Sequence, residues 1–199
     1  MSEPKKKKVS NPEENNKQIL SYLRDLVTLI AGVLLVFSVC LRVVVVSGPS
    51  MNDTLYDGDC LLVISNVFYR DPKFGDIVVA SKDGFEDGTP IIKRVIATEG
   101  QTVDIDFAEG IVYVDGIALD EPYTRTATNL AEGVPLPVVV SEGSLFVMGD
   151  NRNSSKDSRS YEIGLVDKRE ILGKAVFLGL PGTNKGQVER DFKRIGVLS

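Results

Sequence analysis

The hydrophobic residues of this chain follow two patterns, and the first is one continuous run. Residues 26–41 read LVTLIAGVLLVFSVCL and carry no charge, whereas Arg24 and Asp25 precede the run and Arg42 follows it. A helix of this length covers about 24 Å, slightly less than the roughly 30 Å core of a bilayer, and flanking residues can supply the remainder. The run predicts an uncleaved membrane-spanning helix, with a cleaved secretory signal and a buried core helix as the alternatives.

The second pattern begins at residue 43, where short β-rich runs alternate with clusters of Gly, Asp, Asn and Pro. Residues 119–137 contain three prolines and no alternation, which indicates a long surface excursion, and residues 169–172 fit one short turn. The predicted strands are residues 60–64, 76–80, 91–97, 102–107, 111–114, 138–140, 144–148 and 174–178. The predicted fold class is therefore mostly β: one N-terminal transmembrane helix followed by an all-β domain of short antiparallel strands.

The charge pattern assigns the predicted parts to the two sides of a membrane. Residues 1–24 are predicted to be a disordered cytoplasmic tail, residues 25–46 an anchor leading into the first strand, and residues 47–199 an extracytoplasmic domain. The basic residues Lys5–Lys8 lie before the span, so the positive-inside rule keeps the N-terminus in the cytoplasm. The chain is thus predicted to be a single-pass protein of the cell membrane.

Composition narrows the class of function. With 43% apolar residues, 26% charged residues and a net charge of −5, the chain resembles an ordinary globular domain plus an appendage and lacks a general nucleic-acid footprint. Its two cysteines, Cys40 and Cys60, are too few for a disulfide framework and are interpreted as isolated apolar thiols. The chain contains no histidine, which excludes a Ser-His-Asp triad and every metal or haem site that needs histidine.

One serine nevertheless has the setting of a nucleophile. Ser50 lies in SGPSMNDTL, directly after a β-branched run, and its proton acceptor must be Lys, Asp or Glu. Lys93 is the best-placed lysine, because strand alternation puts it on one face with Ile91 and Val95. Burial among aliphatic side chains disfavours the ammonium and would allow the amine to act as a base. An edge-strand lysine with its amine in solvent is the alternative. The same alternation puts Arg94 on the opposite face with Ile92 and Ile96.

Four segments together resemble the conserved boxes of one enzyme family. They are SGPSMNDTL at 47–55, GDIVV at 75–79, IIKRVIATEGQTV at 91–103 and GDNRNSSKDSR at 149–159. In this order, behind one N-terminal span, they resemble type I signal peptidases of the Gram-positive type. Members of that family are membrane-anchored Ser/Lys endopeptidases that remove signal peptides from exported preproteins after small-x-small motifs.

The resemblance implies a role for each matching residue. Ser50 matches the nucleophile, Lys93 the general base, and Ser155 the serine whose hydroxyl orients the lysine. The implied substrate groove contains Gly48, Met51, Ile91 and Ile92, and the implied structural support consists of an Arg94–Asp150 pair, Arg152 and an Asp157–Arg159 pair. A simpler interpretation of these charges is a solvated surface. The implied partners are preproteins, the lipid bilayer and a nearby translocon, with no metal, cofactor or nucleic acid.

Two positions depart from the family pattern: Gly48 differs from some members, and Asp53 differs from the usual residue. Gly48 stands where some members have a serine that donates to the oxyanion, so that second donor is absent as a side chain, while a glycine permits close backbone approach. Asp53 stands where the family usually has proline, and we expect it to point to solvent as a turn residue.

Two other functions share parts of this pattern. They are a self-cleaving Ser/Lys protease of the repressor-processing type and a membrane-tethered binding protein that has lost catalysis. The span and the fourth segment disfavour the first. The presence together of Ser50, Lys93 and Ser155 disfavours the second.

Overall fold

The computed structural model describes residues 12–82, 85, 88–183 and 190–198. The chain divides into two compact units, and the boundary along the sequence lies between Val39 and Cys40. One helix, α1, extends from Pro12 to Cys40, so its last residue lies just past this boundary. Its stretch Asn16–Cys40 is long and apolar enough to cross a membrane. Residues 12–24, which were predicted to be disordered, are thus helical. The helix begins at Pro12, and proline is well tolerated at the first helical position. Residues 1–11 of the predicted tail lie outside the described residues.

The second unit is built from short strands, as predicted. The strands are β1 Leu41–Val45, β2 Cys60–Ser65, β3 Ile77–Ala80, β4 Ile91–Thr98, β5 Thr102–Asp106, β6 Ile111–Val114, β7 Ile117–Ala118, β8 Val138–Val139, β9 Ser144–Met148, β10 Val166–Asp167, β11 Ile171–Leu180 and β12 Gly196–Val197. All eight predicted runs are strands, and the mostly-β fold class is confirmed. The predicted turn at 169–172 overlaps a 3-10 turn at Lys168–Glu170, followed at once by β11.

Four strands were not predicted as such: β1, β7, β10 and β12. β1 begins at Leu41 directly after the helix, inside the segment predicted as anchor. A continuous apolar run does not show where a helix stops and a strand starts. The other three span two residues each, too few to display alternation.

The strands form two antiparallel sheets within the described residues. The larger sheet has the order β1-β2-β11-β3-β4-β9-β10, with β12 also paired to β11, and the smaller has the order β7-β6-β5-β8. β4 is buried over nearly its whole length because apolar residues pack on both of its faces. This central strand carries Lys93 and Arg94 on opposite faces.

The predicted faces of β4 agree with the packing. Ile91 and Val95 belong to one hydrophobic cluster, and Ile92 to another on the opposite face. Ile96 packs against the smaller sheet in a cluster with Met148, the residue paired with Arg94, so it shares the face of Arg94 as predicted. A register shift between Val95 and Ala97 brings Ala97 into the same cluster, since a bulge interrupts alternation. Cys40 and Cys60 are both free thiols, as expected.

Candidate active site

Ser50 lies in a closed loop between β1 and β2, here called the nucleophile loop (residues 46–59). Backbone bonds from Val46 N to Asp59 O (2.8 Å) and from Gly58 N to Val46 O (2.9 Å) close the loop. Gly48 has a φ of +86°, a conformation that residues with a Cβ rarely adopt. No described atom lies within 4 Å of a Cβ built there, so this side of the loop is open to an approaching backbone. The left-handed φ is a reason for glycine that the sequence did not reveal.

Lys93 on β4 reaches the Ser50 hydroxyl across the sheet. Its Nζ lies 2.9 Å from Ser50 Oγ and 3.1 Å from the Ile92 carbonyl oxygen, and the residue is 5% exposed. β9 pairs with β4 only from Arg94 onward, where Arg94 faces Met148. Lys93 therefore lies where β4 is no longer paired with β9, and Ser50 lies on that side of it. The alternative of a solvated edge lysine does not describe this site.

Gly149, directly after β9, makes this close approach possible. A Cβ at Gly149 would overlap the Ser155 hydroxyl and lie 2.5 Å from the carbonyl oxygen of Ser50. Asn151, two residues further on, holds the same backbone: Asn151 N donates to Ser50 O (3.0 Å), and Asn151 Nδ2 donates to Pro49 O (3.0 Å). The fourth sequence segment thus holds the backbone of Pro49 and Ser50 in place.

Ser155 is buried and lies beside the candidate dyad. Among the described contacts its hydroxyl donates a long bond of 3.5 Å to the Lys156 carbonyl, and the described hydrogen bonds of Lys93 go to Ser50 and Ile92. The proximity of Ser155 to the Gly149 Cα places it at the site. Its role in orienting Lys93 stays a prediction.

A cavity of about 400 Å³ opens in front of Ser50 and Lys93. Its walls include all four predicted groove residues, Gly48, Met51, Ile91 and Ile92, together with Val44–Val46, Phe85, Pro90 and Ser155. The lining combines aliphatic side chains with the hydroxyl and amine groups of serine, threonine and lysine residues. The β1 contribution means that one wall is an edge strand of the larger sheet.

Arg94, on the other face of β4, forms the predicted pair with Asp150. Nε and Nη2 donate to the two carboxylate oxygens, each at 2.9 Å, and the side chains are 2% and 1% exposed. Arg94 Nη1 also donates to the Gly75 carbonyl at 2.8 Å, and the guanidinium lies 4.0 Å from the centroid of the Tyr123 ring. Thr54 Oγ1 donates to Asp150, which connects this pair to the nucleophile loop. The pair is therefore scaffold rather than a solvated surface charge.

Asp157 and Arg159 form the second predicted pair, also fully buried. Two parallel bonds of 2.8 Å join them, and Asp157 Oδ2 accepts the Gly149 N–H at 3.0 Å. Arg159 Nη2 donates to the Arg152 carbonyl at 2.7 Å. The network ends on the backbone of Gly149, next to Ser50.

Arg152 shows that the excursion at residues 119–137 is more than a surface loop. Its guanidinium binds both carboxylate oxygens of Glu121 and the Thr128 hydroxyl, and it is 1% exposed. Burial opposes the charge, but hydrogen bonds and attraction from Glu121 offset it and raise the pKa of Arg152. Burial first, then the charge of Glu121, raises the pKa of Tyr123. The excursion therefore packs on the fourth segment.

Asp53 is half-exposed, as expected of a turn residue. Its side chain is 57% exposed and accepts a bond of 3.2 Å from Arg125 of the excursion and one of 3.4 Å from the Tyr56 hydroxyl. The negative charge thus pairs at the surface.

Sequence reasoning missed three contributors to the site. Asn151 lies in the fourth segment, where only the charged residues and Ser155 received roles. Glu121 lies in the excursion, which has no periodicity. The pair of Asp59 with Arg194 joins residues 135 positions apart, and the one available signal was an aspartate at the entry of an apolar strand.

Comparison with known proteins shows the family of this chain. Residues 19–180 match the family model for signal peptidase, peptidase S26. The chain is 33% identical over 183 residues to a signal peptidase I of Bacillus licheniformis, covering 87% of this chain and 96% of that protein. It is 40% identical over 152 residues to a probable signal peptidase I-1 of Synechocystis sp., covering 72% and 73%. A crystal structure of a signal peptidase I from Enterococcus faecalis V583 aligns with a TM-score of 0.43 and 27% identity, covering 52% of this chain and 96% of that chain. The chain therefore belongs to the signal peptidase family, peptidase S26.

Proposed function

We propose that this serine peptidase removes N-terminal signal peptides from exported preproteins while anchored to the membrane, with Ser50 as nucleophile and Lys93 as general base. The observation that carries the proposal is the 2.9 Å contact between Lys93 Nζ and Ser50 Oγ, made by a lysine that is 5% exposed. Burial penalises the ammonium, and a neutral amine can accept the serine proton.

The reaction follows from these two groups. Ser50 Oγ attacks the scissile carbonyl while Lys93 takes its proton, and a tetrahedral oxyanion forms. The backbone N–H of Ser50 is a candidate donor to that oxyanion. The Lys93 ammonium then gives its proton to the departing amine. The C–N bond breaks, and the acyl group remains on Ser50 Oγ as an ester. Water hydrolyses the ester with Lys93 again as base, and the free serine returns.

The substrate would bind as an extended strand. β1 is an edge strand in the described sheet, and both it and the start of β4 line the cavity. Main-chain pairing with such an edge supplies affinity, and shallow pockets read alternate side chains. The aliphatic walls at Met51, Ile91 and Ile92 favour small residues at the first and third positions before the cleaved bond, hence a small-x-small motif.

The helix α1 would anchor the peptidase in the membrane. We place residues before α1 in the cytoplasm and the β unit outside, as the basic N-terminus suggests. Val43 and Val45 are 70% and 62% exposed on β1, and this apolar surface suits contact with the membrane face. Anchoring near the translocon would raise the effective concentration of the enzyme at emerging preproteins.

The test is cleavage of a preprotein with an Ala-x-Ala site by the full chain in detergent. We expect Ser50→Ala and Lys93→Met each to abolish cleavage, while Lys82→Met retains it. Lys82 is a matched control because it is also a partly buried lysine, paired with Glu170 and absent from the cavity wall. Cleavage by either dyad variant would overturn the assignment. Binding without cleavage by the unaltered chain would favour a tethered binding protein.

The pH dependence of kcat/KM tests the base separately. A buried Lys93 acting as base should give an essential group that titrates below the reference value for free lysine of about 10.4. A profile governed only by a group at or above that value would contradict the proposed role.

A further inference from the structure

The C-terminal segment at residues 190–198 contacts the nucleophile loop through one arginine. Arg194 Nη1 and Nη2 donate to the two oxygens of Asp59 at 3.0 and 2.6 Å. Asp59 is 0% exposed and also accepts the backbone N–H groups of Tyr56 (2.8 Å) and Gly182 (2.6 Å). A buried carboxylate with four donors is a fully satisfied anchor.

The same guanidinium contacts two more residues of the loop. Arg194 Nη2 donates to the Thr54 carbonyl at 3.2 Å, and the guanidinium carbon lies 4.2 Å from the centroid of the Tyr56 ring. One side chain from the end of the described chain therefore joins positions 54, 56 and 59. A lysine could supply the charge but not this planar set of donors and the ring contact.

Close packing at Gly182 reinforces the contact. A Cβ there would overlap the Asp57 carbonyl and lie 2.5 Å from the backbone carbon of Gly58 and 2.6 Å from the backbone nitrogen of Asp59. The chain after β11 is thus pressed against the nucleophile loop itself.

A short series of contacts connects Arg194 to Ser50. Thr54, whose carbonyl accepts from Arg194, donates its hydroxyl to Asp150, and Leu55 N–H donates to Met51 O at 2.8 Å. Asp150 therefore holds the loop at Thr54, and Arg194 holds it at Thr54, Tyr56 and Asp59. Both attachments follow Ser50 in the chain, and the bond from Leu55 N–H to Met51 O connects them to the residue next to Ser50.

We propose that Arg194 is a positioning residue for Ser50: it fixes the nucleophile loop so that the hydroxyl stays aligned with Lys93. The proposal rests on Ser50 being the nucleophile, as argued above. Misplacement of a reacting group by about 1 Å can lower a rate by about 10²-fold, so loss of one loop attachment should act mainly on kcat. Of the predicted groove residues, Met51 enters these contacts through its backbone carbonyl, whereas Ile91 and Ile92 do not.

The experiment compares Arg194→Gln and Arg194→Lys with Lys82→Gln in the full chain. Lys82 is the matched control because its ion pair with Glu170 has a similar exposure, 20% and 18%, to the 20% of Arg194. We expect Arg194→Gln to lower kcat for an Ala-x-Ala peptide at least tenfold with KM within about twofold, and Arg194→Lys to fall in between. Lys82→Gln should keep kcat within about twofold. Amide hydrogen exchange at Leu55 and Gly58 should accelerate in Arg194→Gln and not in Lys82→Gln.

The outcomes separate this inference from the proposed function. Unchanged kcat in a folded Arg194→Gln, or unchanged exchange at Leu55 and Gly58, would overturn the positioning role while Ser50→Ala still abolishes cleavage. If Arg194→Gln does not fold, Arg194→Lys decides, and full activity in that variant would contradict the inference. Cleavage by Ser50→Ala would instead contradict the proposed function, whereas the exchange measurement reports on the loop without reference to activity.

Discussion

The two faces of β4 bury neighbouring cationic side chains next to different partners. Arg94 is 2% exposed and forms two hydrogen bonds with the Asp150 carboxylate. It also contacts a backbone carbonyl and an aromatic ring. Lys93 is 5% exposed, and its described hydrogen bonds go to a hydroxyl and a carbonyl. A guanidinium keeps its proton under all ordinary conditions, whereas a buried amine can lose it. Burial of a positive charge thus gives scaffold on one face and a candidate base on the other.

A second lysine sharpens the comparison. Lys174 on β11 lies opposite Val78, which lies opposite Lys93, so the three side chains share one face of the sheet. Lys174 is 30% exposed and pairs with the Asp76 carboxylate. The face alone therefore does not decide the partner of a lysine: Lys174 pairs with a carboxylate, whereas Lys93 contacts the hydroxyl of Ser50.

The largest effect is expected on the Arg94 face, from Asp150→Ala. Removing the carboxylate leaves a buried guanidinium without its main counter-charge, which costs about 3–5 kcal/mol of unfolding free energy. Urea unfolding should show this loss. Asp71→Ala, which breaks an exposed pair with Lys73, should change stability by less than about 1 kcal/mol. Equal effects of the two variants would contradict a scaffold role for the Arg94 face.

Gly149→Ala tests the close approach on the Lys93 face. The new Cβ meets the Ser50 carbonyl, which belongs to backbone and cannot swing away, so we expect kcat to fall by about 10²-fold. Gly164→Ala is the control, because that position has a φ of +55° and no described atom within 4 Å of the added Cβ. Activity that survives Gly149→Ala while Gly164→Ala impairs it would show that the space behind Ser50 is not critical.

Lys174→Met tests the paired lysine of the same face through pH. Burial raises the pKa of Asp76, but hydrogen bonds from Lys174 and Tyr69 outweigh it and hold the pKa below its usual value. A depressed carboxyl pKa contributes stability that is present above the unfolded value of about 3.9 and is lost as the pH falls through the folded value. The stability difference between wild type and Lys174→Met should therefore be largest near neutral pH and shrink below about pH 4. Urea unfolding across this range measures it, and a constant difference would rule out the linkage.

The smallest effect is expected from Arg125→Gln, which breaks the surface pair with Asp53. Both side chains are more than half exposed, so the loss should be under about 1 kcal/mol and weaken further in salt. The alkaline limb of activity should also stay in place. A shift of more than about one pH unit, or a large gain of activity in Asp53→Pro, would mean that this carboxylate reaches Lys93.

Strand alternation was enough to put Lys93 and Arg94 on opposite faces, because that information is local. The Arg94–Asp150 and Asp157–Arg159 pairs were instead implied by the resemblance of the GDNRNSSKDSR segment to the family's fourth box. Alternation does not explain the position of Ala97, which joins Ile96 in the same cluster because a bulge adds one residue to the strand and reverses the alternation beyond it. In a strand of this length the hydrophobic pattern does not reveal one extra residue.

The sequence by itself determined the apolar helix, the run of short strands, and the chemical types at the site: a serine, a lysine and no histidine. Only the tertiary structure decided which distant groups meet them. The pairing of Arg194 with Asp59 and of Arg152 with Glu121 depends on how the loops fold back on the sheet. The same holds for the end of β9 beside Lys93, which admits Ser50. Periodicity records which way a side chain faces, but contacts between distant loops depend on packing that no local pattern encodes.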